Sequence, residues 1–209
     1  MADGSDNADQ VERPWWPLPP DESMRSDVVD ADEATLEERL GRYRFVFREF
    51  GPPSQMLLIG GVPAMLALHE LQRSFIAGNF LATVLTAQVL VEHSLGGSFV
   101  LAGDDSIVNS GFAGLIDESL RRGWLSPSMA ARLHVLRSMR NPYTHPKVGM
   151  HARGHMARMR DTGIWDPYVL AETDAREAIR IVVDWQRECW RDERLEDGGA
   201  ERSGGPTDI

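Results

Sequence analysis

Apolar residues return at three- and four-residue steps along most of this chain, and no stretch alternates at period two for long enough to make a strand. That periodicity excludes a sheet core and leaves an all-α fold, an antiparallel helical bundle of five or six helices. The first helix is expected from Asp32, as its cap, to Phe50, with Leu36, Leu40, Tyr43, Phe47 and Phe50 as one apolar stripe. The next runs from Pro63 to Ala77, with Met65, Leu66, Leu68, Leu71 and Phe75 as buried candidates. After Ala77-Gly78-Asn79, a helix from Phe80 to Leu95 is apolar nearly all round, which marks it as the central one, and Gly96-Gly97 stops it. Gly111 to Arg122 is a short helix after a loop at 102–110. Ser126-Pro127 opens another, Ser as cap and Pro at the first helical position. It turns Met129, Leu133, Leu136 and Met139 inward and should stop at Asn141, because Pro142 disfavours α geometry in the residue before it. A basic, glycine-punctuated segment, partly helical around His151 to Arg160, leads to a last helix from Glu172 to Leu195.

These elements divide the chain into an acidic arm at 1–31, a helical domain at 32–195 and an acidic, Gly-rich tail at 196–209. The arm and the tail read as disordered. The arm holds Pro14-Trp15-Trp16-Pro17-Leu18-Pro19-Pro20, a polyproline-like stretch whose paired tryptophans call for a docking surface. One cysteine, Cys189, rules out an internal disulfide framework and a Cys-rich zinc module. The first nine residues lack the basic and apolar regions of a signal peptide. The longest apolar run, Met56 to Leu68, is broken by Gly60, Gly61 and Pro63 and is too short to span a bilayer. A soluble, cytoplasmic protein without a membrane partner is the expectation.

The net charge of -10 hides a strong asymmetry. From Ser119 to Arg160 there is no Asp or Glu, while eight arginines and Lys147 stand there with four histidines. Residues 1–40 hold 12 acids against Arg13, Arg25 and Arg39. One basic region amid acidic surroundings points to a polyanion. The plain structural alternative is that these arginines lie on different helix faces and pair with acids elsewhere. Inside the basic region sits Arg140-Asn141-Pro142-Tyr143-Thr144-His145, at a helix end. A guanidinium grips phosphate oxygens in a planar fork, and an imidazole moves a proton near neutral pH. Together they suit a phosphodiester. The helix dipole alone would also favour a cation at Arg137 or Arg140.

Three stretches resemble the HEPN superfamily (higher eukaryotes and prokaryotes nucleotide-binding domain). They are the helix pair around Ala77-Gly78-Asn79 with Ala82, Ala87 and Glu92 on its second member, the run Leu136-Arg137-Ser138-Met139-Arg140-Asn141 followed by His145, and a terminal helix opening with Asp174-Ala175-Arg176-Glu177-Ala178. The match covers about residues 64–190. The resemblance implies an all-α bundle, commonly a homodimer in which two Arg/His motifs form one composite RNA-cleaving site. It further implies a metal-independent endoribonuclease, often a toxin held by an antitoxin or an effector in a phage-defence assembly. Some family toxins carry a tyrosine two residues after the histidine, which a partner enzyme modifies; Lys147 stands there in this chain.

On that reading His145 is the general base, or the acid in the leaving step. Arg140 stabilises charge on the phosphoryl oxygens. Asn141 orients the histidine or bonds the phosphate. Arg137, Lys147, Arg153 and Arg158 add binding, and Tyr143 stacks on a base. Glu92, alone in an apolar helix, needs a partner, and Arg140 or Arg137 is the obvious one. His151 and His155 have the i, i+4 spacing of zinc ligands, but Gly154 lies between them without a nearby carboxylate or thiol, so phosphate contact is preferred. No metal and no cofactor is required. The competing readings are a non-catalytic HEPN module that binds RNA, a nucleotide or a protein partner, and a structural helical subunit of a larger assembly.

Overall fold

The computed structural model describes residues 20–51, 59–144 and 154–197, with side chains described as far as 189. Among them every regular element is a helix: α1 (Asp21–Ala34), α2 (Leu36–Phe50), α3 (Gly61–Ala77), α4 (Phe80–Leu101), α5 (Asp105–Val108), α6 (Gly111–Arg121), α7 (Pro127–Thr144), α8 (His155–Thr162) and α9 (Pro167–Asp197). The described residues divide within α2 into a unit ending at Glu38 and a unit beginning at Arg39. The Pro-Trp segment of the arm and the last twelve residues of the tail lie outside the described residues.

The first unit corrects the sequence reading. Part of the expected arm is helical, since α1 starts at Asp21, with Asp21 and Glu22 in its first turn, where acids favour the helix dipole. It buries no residue. Asp32 is inside α1; the chain breaks at Thr35, whose Oγ1 donates to the Ala31 carbonyl at 2.9 Å.

In the second unit α4 is central, packed against α3, α9 and the α5–α7 segment. Val84, Ala87, Leu90, Val91 and Phe99 are all fully buried. By length and composition α4 is long and apolar enough to cross a membrane, but half of its apolar window is buried inside the fold. It also runs through Gly96-Gly97 to Leu101 instead of stopping there. Glycine in a helix costs up to about 1 kcal/mol, and here it permits contact between backbones. A Cβ on Gly97 would stand 2.7 Å from the Gly60 nitrogen, and one on Gly60 would stand 2.7 Å from the His93 carbonyl oxygen. Gly60 itself has φ +112°, in the left-handed region, at the entrance to α3. On α3, Leu68, Leu71 and Phe75 are buried as expected, whereas Met65 and Leu66 face outward.

α2 turns a different face inward from the one its apolar stripe marks. Arg42, Phe45 and Val46 are buried; Leu36, Leu40, Tyr43 and Phe47 are exposed. Arg42 is the reason. Its Nε donates to the Ile76 carbonyl at 3.1 Å, satisfying one of the open carbonyls at the end of α3. Phe45 then meets the Phe75 ring with centroids 5.2 Å apart, beneath the Arg176 guanidinium at 4.6 Å. Cation–π contacts of this kind hold α2 to α3 and α9.

α7 lies antiparallel along α9 on a line of carboxylates. Glu188 accepts from the Ser126 nitrogen at 2.8 Å and from its Oγ at 3.0 Å. Ser126 Oγ in turn accepts from the Met129 nitrogen at 3.2 Å, the cap the sequence foresees. Arg132 is paired with Asp184 and, at 3.4 Å, with Glu177. At the far end the Tyr143 hydroxyl donates to Asp174 at 2.8 Å. That last bond helps carry α7 past Pro142, where a stop is expected, to Thr144. Pro142 has no N–H for the Ser138 carbonyl, but so near the terminus only one ladder bond is lost, and Thr144 Oγ1 returns a bond to the Arg140 carbonyl at 3.2 Å. α9 likewise begins earlier than Glu172, because Asp166 Oδ1 caps it by accepting from the Tyr168 nitrogen at 2.8 Å.

Two glycines make a paired test of this packing. Gly97→Ala should lower stability by about 1–3 kcal/mol, because backbone atoms cannot yield to the added methyl. Gly41→Ala, in exposed α2 with nothing within 4 Å of the added Cβ, should raise it by about 0.5–1 kcal/mol. Urea denaturation of the two variants checks both signs.

Candidate functional site

The acid-free stretch is less basic in three dimensions than in one. Arg121 and Arg122 both bond Glu118, and Arg122 also reaches Asp104. Their hydrogen bonds hold the Glu118 carboxyl down at about 2. Arg132 sits on the α9 carboxylates, Arg158 is in a two-point pair with Asp174, and Arg160 meets Asp161 at 2.7 Å. Five of the stretch's cations are therefore paired, as the plain alternative holds. The two that differ are Arg137 and Arg140, whose guanidiniums make no hydrogen bond or ion pair with a described residue.

Those two are aligned by helix geometry. Positions 137, 140, 141 and 144 follow one ridge of α7, three and four residues apart. The buried Leu133 and Leu136 stand one turn before Arg137 and Arg140, so this ridge starts in the core and runs out of it toward the helix end. Arg137 is exposed, and Arg140, Asn141 and Thr144 are half-buried. The ridge thus offers two guanidiniums, a side-chain amide and a hydroxyl. It ends where the described residues break off: His145, Lys147 and Arg153, three of the expected site residues, and His151 lie outside them.

Two further expected site residues, Tyr143 and Arg158, are turned to Asp174, which is 2% exposed and is the most buried carboxylate described. The Tyr143 hydroxyl and the Arg158 guanidinium share its oxygens, an arrangement that neutralises a buried charge. Burial first, then the charge and hydrogen bond of Asp174, pushes the Tyr143 phenol well above its ordinary value. The bond to Asp174 raises the Arg158 guanidinium. The His155 ring, at the first position of α8, packs edge-on to Tyr143 with centroids 5.5 Å apart. Glu92 stays apart from the arginines: it accepts from Gln88 Nε2 at 3.0 Å, one turn back on its own helix. It is only half-buried, so its carboxylate does not depend on an arginine for its charge.

Asp174 is the residue the sequence reading misses in its real role. A signal was present: acids at 174, 177, 184 and 188 recur at helical steps on the last helix, while the helix at 127–144 has none. Among the described residues no group of three His, Cys, Asp or Glu side chains is placed to hold a metal ion. No protein-family model, curated protein or solved structure matches the chain.

The Asp174 cluster makes a pH-dependent prediction. A phenol raised above 10.0 favours the folded state in its neutral form. That contribution is complete below the ordinary phenol value and is lost as pH rises through the raised one. One of the three tyrosines should resist ionisation in the folded protein, and Tyr143→Phe should remove the late step from the absorbance titration. Asp174→Ala should cost on the order of 3 kcal/mol by leaving Arg158 uncompensated, read from the denaturation midpoint.

Proposed function

We propose that the end of α7 is an RNA-phosphate site and that the chain is a HEPN-type endoribonuclease cutting without a metal. The observation that carries this reading is the ridge of Arg137, Arg140 and Asn141, two guanidiniums without an acid partner among the described residues, in a stretch where the other described arginines are paired. An uncompensated cation pair at a helix end is what a phosphodiester would complete. The all-helical fold and the sequence resemblance agree with it.

In the proposed reaction an RNA 2′-hydroxyl attacks the adjacent phosphorus. Its proton passes to His145, the P–O5′ bond breaks, and the departing oxygen takes up a proton. The products are a 2′,3′-cyclic phosphate and a 5′-hydroxyl. Arg140 holds the phosphoryl oxygens as charge gathers on them, Asn141 bonds the phosphate or orients the imidazole, and Arg137 binds a neighbouring phosphate. Two proton transfers are better served by two imidazoles than one, which favours a homodimer with a composite site.

A non-catalytic RNA-binding module is the second reading. It is favoured by the capture of Tyr143 and Arg158 by Asp174, which withdraws two expected RNA contacts.

Incubation of the full chain with labelled mixed-sequence RNA in EDTA tests the proposal. Cleavage with cyclic-phosphate ends is expected, reduced at least about 100-fold by His145→Ala or Arg140→Ala, with DNA left uncut. Salt-sensitive RNA binding without cleavage would replace it with the binding-module reading.

A further inference from the structure

A cyclising cleavage moves two protons: one leaves the 2′-hydroxyl and one is given to the departing O5′. Near the Arg140 end of α7 the Tyr143 phenol cannot give the second, since it already donates to Asp174 at 2.8 Å. His134, one turn before Arg137, is also engaged: its Nε2 lies 3.0 Å from Asp117 Oδ1 and its Nδ1 is buried. His155 is placed differently. Its half-buried ring stands edge-on to Tyr143, centroids 5.5 Å apart and planes at 62°. Tyr143 and Arg140 are three residues apart, a spacing that makes them neighbours on the helix surface. His155 is thus one side chain removed from Arg140, and its ring nitrogens make no hydrogen bond or ion pair with a described residue.

One carboxylate holds this arrangement. Asp174 on α9 accepts from Tyr143 on α7 and, at two points, from Arg158 on α8. Arg158 follows His155 by three residues, so the tie that fixes the end of α7 also fixes the first turn of α8 beside it. Packing against Tyr143 needs only a ring; an imidazole adds a group that holds and releases a proton near neutral pH. We infer that His155 is the general acid of the proposed site, acting on a phosphate held by Arg140. This inference rests on the RNA-cleaving reading of the end of α7. In the step the O2′–P bond forms and the P–O5′ bond breaks. The 2′-hydroxyl proton goes to the base of that reading, His145. The departing O5′ takes the proton of the His155 imidazolium, which is left neutral, and exchange with water restores both groups.

Cleavage by the full chain in EDTA, on two substrates, tests it. On RNA, His155→Phe and His155→Gln should each lose about 100-fold or more in rate. The fall of the wild-type rate toward alkaline pH, which marks loss of the acid's proton, should vanish from their profiles. On uridine 3′-(para-nitrophenyl phosphate), whose leaving group departs without a proton, both variants should regain most of that loss, while Arg140→Ala should be slow on both substrates. Phenylalanine keeps a ring against Tyr143, so the late tyrosine step of the absorbance titration should persist in His155→Phe and reports that the fold is kept. Variants that cut RNA as fast as the wild type, or that are equally slow on both substrates, overturn the inference and leave the RNA-cleaving reading standing. A wild type that leaves both substrates intact overturns that reading and the inference with it.

Discussion

The acidic face of α9 is the constraint on which the rest of the second unit depends. Asp174, Glu177, Asp184 and Glu188 lie at helical steps, and each finds a donor on α7 or beside it. Burying a carboxylate such as Asp174 is expensive unless charge and hydrogen bonds meet it, so the line admits few positions for α7. Glu188 holds the start of α7 through Ser126, Asp184 and Glu177 hold its middle through Arg132, and Asp174 holds its end through Tyr143. Hydrophobic packing of Leu133, Leu136 and Met139 supplies most of the driving force, while the polar line sets rotation and register.

That rotation decides what α7 shows to solvent. With Tyr143 drawn inward and the apolar residues buried, the ridge through Arg137, Arg140 and Asn141 runs along the flank of the buried face, Arg137 exposed and the other two half-buried. The same carboxylates consume the cations that would otherwise blur the picture, since Arg132 and Arg158 are neutralised locally. Among the described residues of the stretch, what remains basic is small and placed toward one end of a helix. In the proposed function this is the useful outcome: two guanidiniums held by a rigid helix, ready for phosphate without first breaking an ion pair.

Much of the fold was legible in the sequence, and the misses have physical causes. The period of the apolar residues gave an all-helical chain, the Ser126-Pro127 start and the central place of α4. Gly96-Gly97 read as a stop because local propensity takes no account of the Gly60 backbone lying against the helix. Pro142 read as a stop for the same reason, since the loss of one ladder bond is offset by the tie from Tyr143 to Asp174. The stripe on α2 was read correctly as a stripe and assigned to the core, but burial of Arg42 at the end of α3 took the inner face. Charge counting along the chain overcounts the basic stretch, because it cannot see the acids that pair with Arg121, Arg122, Arg132 and Arg158 in space. Linear distance from Asp174 says nothing of its place between Tyr143 and Arg158.

The central claim is that Arg137 and Arg140 are the open phosphate contacts of this molecule, and the salt dependence of RNA binding tests it most directly. The slope of log affinity against log salt falls by about 0.7 for each phosphate contact removed from a single strand. The account predicts that loss for Arg137→Ala and again for Arg140→Ala, with the slope unchanged by Arg121→Ala, whose guanidinium is already committed to Glu118. Slopes left unchanged by both α7 substitutions would contradict it.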